Sequence, residues 1–171
     1  MADTPPAKLD APTDIQSNKA ATVADALNAI LADSFALYLK TKNFHWHVSG
    51  PHFRDYHLLF DEQAAEIFAS IDDLAERVRK IGARTVHSIG EIARLASIKD
   101  NDKDFVSPAD MLAELMGDTK HVIKRMRAAH EIADKHDDVA TASILENFID
   151  AAEKRNWFLF EASRTTTGGG H

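Results

Sequence analysis

Cysteine is absent from this 171-residue chain. Disulfides and thiolate metal sites are therefore excluded, and any bound metal must rest on histidine and carboxylate, a donor set suited to iron, manganese or zinc. Glycine and proline are scarce, at seven and five, and fall at plausible helix ends or in the tails. A chain so short of turn residues favours an all-helical fold. Basic residues are in deficit: 20 Lys and Arg against 27 Asp and Glu give a formal net charge of −7. That balance argues against a nucleic-acid footprint over the whole surface and suits a protein that gathers cations. The N-terminus has no apolar core of signal-peptide type, and no apolar run reads as long enough to span a bilayer. A cytoplasmic location without membrane partners is the expectation. What is present, 44% hydrophobic and 27% charged residues without an internal repeat, is the composition of one globular domain with a sizeable core.

Residues 1–21, with Pro5, Pro6 and Pro12, read as a flexible arm. Lys8 and Lys19 stand there against Asp3, Asp10 and Asp14, without the Lys excess that a DNA-binding arm needs. A first long helix is predicted from about Thr22 to Val48, with Leu27, Ile30, Leu31, Tyr38 and Phe44 on its inner side. Leu31, Tyr38 and His45 form one row seven apart, so His45 continues an inward row while His47 points away. Ser49-Gly50-Pro51 stops the helix. From Phe53 to Ile81 there is neither Gly nor Pro, and Phe60, Ala64, Ile67, Ile71, Leu74, Val78 and Ile81 make a heptad seam ended by Gly82. Ser88 to Ile98 reads as a short helix, with Ile89, Ile92, Leu95 and Ala96 on one face, inside a long crossover. Ser107 and Pro108 open a third long helix, with core positions Leu112, Leu115, Val122, Met126 and Ile132 and an end near His136. Asp137 or Asp138 caps a fourth, striped by Leu145, Phe148, Ile149, Ala152 and Leu159. The chain closes in a Gly-rich flexible tail over residues 164–171. Residues 22–163 therefore read as an all-α, ferritin-like four-helix bundle with a short extra helix in the crossover between long helices two and three.

The chemistry concentrates on the second long helix. His57 and Asp61 are four apart, as are Asp72 and Glu76, and residues four apart share a helix face. At about 100° per residue all four fall on one flank, but Asp61 and Asp72 lie roughly 16 Å apart along the axis. One helix cannot close both pairs on one ion, because N and O ligands sit about 2 Å from the metal. The midpoint of positions 57 and 76 is also the midpoint of 61 and 72, between Glu66 and Ile67. An antiparallel second copy about a two-fold axis there puts His57 opposite Glu76 and Asp61 opposite Asp72 of the other chain, in two identical sites. Leu58, Ala65, Phe68, Ala69 and Ala75 on the same flank suit close approach of that copy. The plainer alternative is a solvated acidic face with a stray histidine. Ordinary di-iron bundles carry Glu-x-x-His motifs in the bundle core, and this sequence has none, so the metal site is expected outside the core.

His45-Trp46, Gly50, Phe53, His57, Asp61 and Asp72-x-x-Ala75-Glu76-Arg77 together closely resemble the Dps family, the DNA-binding proteins from starved cells or mini-ferritins. The resemblance covers about residues 22 to 163. It implies a homo-oligomeric cage of two-fold dimers, a dodecamer. It also implies a ferroxidase site in which His45, His57 and Asp61 of one chain join Asp72 and Glu76 of its mate to bind Fe2+. The iron would be oxidised, preferentially by hydrogen peroxide, and kept as ferric mineral, giving an oxidoreductase that protects against oxidative stress. Trp46 lies beside the site in such proteins, either packing or quenching radicals. Acidic channels that admit iron would draw on Asp134 and Asp138, although a helix cap is the competing role of Asp138. The arm departs from the family's Lys-rich pattern, so weak or absent DNA binding at physiological salt is expected. The alternatives are a DNA-compacting, nucleoid-associated protein with secondary iron binding, and a zinc or manganese cage without redox work.

Overall fold

The computed structural model describes residues 11–164. The expected arm falls in part, and the expected tail almost wholly, outside the described residues. Among them are five helices: α1 (Ser17–His47), α2 (Phe53–Lys80), α3 (Ile89–Leu95), α4 (Pro108–Lys135) and α5 (Val139–Ser163). The all-α expectation holds, with four long helices and a short one in the crossover.

Local chemistry explains the boundaries. Gly50 and Gly82 take φ of 105° and 80°, left-handed values that glycine adopts without a Cβ penalty, and they stop α1 and α2. Ser88, Ser107 and Asp138 cap α3, α4 and α5 by accepting from the backbone N–H three residues on. Of the two candidates for the last cap, Asp138 takes it, and Asp137 sits in the preceding turn at φ 60°. The first helix starts at Ser17, ahead of the expected Thr22. The segment before it folds back, with Ala11 lying close over Gly82 and Ile15 packing on the core.

The bundle core is made by the predicted stripes. All seven predicted seam positions are buried, six in α2 and Ile81 just past its end, as are Leu27, Ile30, Leu31 and Phe44 of α1. Leu112, Leu115, Val122 and Met126 of α4 and Leu145, Ile149, Ala152 and Leu159 of α5 complete it. The crossover climbs alongside α1. Asn28 donates to the Arg84 carbonyl, Asp33 accepts from Ser97 and Ile98, and Asn43 donates to the Asn101 carbonyl. The chain thus returns to the C-terminal end of α1 before starting α4, so α2 and α4 run parallel. The apolar face expected on α3 stays open: none of its residues is buried, and Ile89 is 79% exposed.

One sequence expectation needs correction. By length and composition α1 is apolar enough to cross a bilayer, and 56% of its most apolar window is buried inside the fold. The bundle core covers that face. Two of its ionic residues are held within the bundle too: Asp33 is fully buried against Arg125, and Lys40 is buried between Glu114 and Asp118 at 2.9 and 2.6 Å.

Candidate metal centre

The last turn of α1 meets the first turns of α2 at one end of the bundle. His45 is buried there, and its ring stacks on that of His57 with centroids 3.8 Å apart and planes 21° from parallel. The two residues hold each other reciprocally. His45 Nδ1 lies 2.8 Å from the His57 carbonyl oxygen, and His57 Nδ1 lies 2.9 Å from that of His45. A carbonyl only accepts, so each Nδ1 donates, and Nε2 is the nitrogen that the neutral ring offers to a metal. Metal-ligating imidazoles are oriented in this way by a carbonyl on the second nitrogen. The helix end supplies the opportunity: the His45 carbonyl is among the last four of α1, which lack an intrahelical partner.

Asp61 sits one turn further along α2. Its Oδ1 is 3.8 Å from His45 Nε2 and 2.6 Å from Lys42 Nζ. The hydrogen bond from Lys42 holds this carboxyl below the ordinary carboxylate range, against some desolvation. Lys42 also lies 5.8 Å from the ring centre of Trp46, which is 58% exposed. The Phe53 ring closes the other side of His57 at 5.0 Å.

Asp72 and Glu76 are exposed farther along the same helix, Glu76 pairing with Lys80 at 2.9 Å. The neighbouring Arg77 turns inward, donating to Asp138 at 2.5 Å and to Thr141 at 2.8 Å, and so fastens α2 to the start of α5. The fold therefore gathers His45, His57 and Asp61, with Trp46 alongside, and leaves Asp72 and Glu76 apart from them. Among the described residues of one chain, no group of three or more His, Asp or Glu is placed to hold a metal ion. A cleft of about 580 Å³ between α1 and residues 100–106 includes neither His57 nor Asp61. Of the two acids considered for a channel, Asp134 is exposed beside His130 at 3.6 Å. Asp138 is only 2% exposed and is taken up by Thr141 and Arg77, which makes it the helix cap. Lys42 escaped the sequence reading, although its place one turn before His45 on the same side of α1 is a usable signal.

Residues 24–166 match the family model described as a ferritin-like domain. The DNA protection during starvation protein of Brevibacillus brevis is 36% identical over 137 residues, covering 80% of this chain and 91% of that one. The chain belongs to the Dps family. Solved Dps structures superpose on it closely. The Dps of Thermosynechococcus elongatus gives a TM-score of 0.85 at 30% identity, covering 89% of this chain and 96% of that one. The Dps of Vibrio cholerae O1, described as a member of a broad superfamily of ferritin-like diiron-carboxylate proteins, gives 0.83 at 27%, covering 88% and 94%.

Proposed function

We propose that this protein is an iron-oxidising and iron-storing mini-ferritin, whose ferroxidase sites each take His45, His57 and Asp61 from one chain and Asp72 and Glu76 from a two-fold mate. The observation that carries the reading is the reciprocal histidine pair. Each Nδ1 is tied to a carbonyl and His45 Nε2 faces Asp61 at 3.8 Å, at one end of a helix that bears the matching acids near its other end at mirrored spacing. The diiron-carboxylate description of the Vibrio cholerae relative supports iron as the substrate metal.

The donor set suits a one-electron change at iron. Imidazole holds Fe2+, and carboxylates favour the Fe3+ product. Two ferrous ions side by side each give one electron to one hydrogen peroxide. The O–O bond takes both electrons and breaks, and two protons complete two waters, so no hydroxyl radical is released. The protein's part is to hold both metals and keep a coordination position open for the oxidant. Trp46, exposed beside Lys42, is placed to pack against a second chain or to scavenge a stray oxidising equivalent. A hollow twelve-subunit cytoplasmic cage would collect the ferric product as mineral.

Anaerobic loading with Fe2+ followed by hydrogen peroxide tests this. A rise in ferric absorbance that His57→Ala abolishes is expected. Zinc-like binding with no absorbance change would leave a metal cage without redox work. The Brevibacillus brevis relative is named for DNA protection, which gives a reason to keep a second reading, DNA compaction with secondary iron binding. The arm's lack of Lys excess speaks for weak or absent binding, and stable complexes in a gel shift at moderate salt would reverse that order.

A further inference from the structure

We infer that Lys42 is the resident cation of the iron site, an ammonium that incoming metal must displace from Asp61 and that sets the affinity and order of filling. This rests on the reading of His45, His57 and Asp61 as iron ligands. Lys42 Nζ lies 2.6 Å from Asp61 Oδ1, and the same oxygen lies 3.8 Å from His45 Nε2. A metal bound to both donors sits about 2 Å from each. It would crowd the ammonium at that oxygen, and two cations cannot occupy that space together.

Lys42 is a placed group rather than a waving surface lysine. Its side chain is only 18% exposed, against 53% for the carboxylate it holds, and its ammonium lies over the Trp46 ring at 5.8 Å. One turn of helix separates it from His45, so both side chains leave α1 on the same side. The acids at the far end of α2 are guarded differently. Glu76 pairs with Lys80 four residues on, and both are more than half exposed, at 56% and 58%. Such a pair is solvent-screened and easily opened. The two halves of a shared site are therefore unequal. Metal settles first on the free histidine nitrogens and the lightly held acids of the mate, and Asp61 joins only when Lys42 swings away. Lys42 is a positioning residue: it tunes when Asp61 becomes a ligand.

The test is binding of Co2+ and Zn2+ without oxidant, read by cobalt absorption and titration calorimetry. Wild type, Lys42→Met, Lys42→Gln, Lys42→Arg and His57→Ala are compared, with native mass and thermal unfolding as controls. The weaker binding step is expected to tighten about three- to tenfold in the Met and Gln variants and to stay near wild type in the Arg variant. Unchanged or weaker binding in both neutral variants, at wild-type mass and unfolding temperature, overturns the inference. His57→Ala separates the two levels. If it binds like wild type, the ligand reading itself fails; if it loses binding while the neutral variants do not tighten, only the role of Lys42 fails.

Discussion

His45 and His57 each orient the other, so neither can be judged alone. The inward row of Leu31, Tyr38 and His45 was legible in spacing, because helical periodicity fixes direction. The reciprocal hydrogen bonds were not, since they depend on how α1 and α2 close around Gly50. The same holds for Lys42 and for Asp33. Asp33 reads from sequence as a helix-interior acid, yet it is fully buried, accepting from Ser97 N at 2.5 Å, Ile98 N at 3.2 Å and Arg125 at 2.5 Å. Asp33→Ala strands these donors, and a loss of about 3 kcal/mol is expected in urea unfolding. Asp118 offers a pH test. Desolvation raises its pKa, with the hydrogen bond from Lys40 opposing. The native state therefore holds this proton more tightly than the unfolded chain, and the group's contribution falls as pH rises through the carboxylate range. Relative to wild type, Asp118→Asn should gain stability across that rise. Urea unfolding at several pH values checks the slope, and a flat or reversed difference counts against it.

Among the elements, α2 has two working flanks. Its seam toward the bundle was legible residue by residue, because a heptad without Gly or Pro leaves little choice. Its other flank remains open in the single chain: Leu58 is 39% and Phe68 54% exposed, with the Phe68 ring 5.1 Å from that of Tyr38. If a second α2 lies there, Phe68→Glu keeps the helical circular dichroism and shifts native mass toward monomer. An unchanged assembly would remove this flank from the interface. At its end α2 is tied to α5 through Arg77 and Asp138, a link invisible in sequence because the partners are 61 residues apart. Asp138→Ala removes a cap and leaves Arg77 without its carboxylate, so a cost of about 2 kcal/mol is expected in chemical denaturation. The short α3 was foreseen as an element but not in its exposure. Apolar spacing shows a face, not whether the same chain covers it.

For the whole molecule, the bundle and its long crossover followed from helix count and turn residues, and the Dps-family match agrees with them. The site was legible only as a pattern of spacings, since a single chain completes no metal group among its described residues. Its proposed completion by a second chain can be measured directly. His57→Ala/Asp61→Ala chains and Asp72→Ala/Glu76→Ala chains are each expected to be inactive alone. Co-expressed in equal amounts, they form mixed dimers in which one of the two sites draws only intact residues. Random pairing then restores about a quarter of the wild-type sites. Recovery of peroxide-driven iron oxidation near that level in co-assembled cages is the expected result, and no recovery in cages shown by mass to contain both chains would contradict a site shared between subunits.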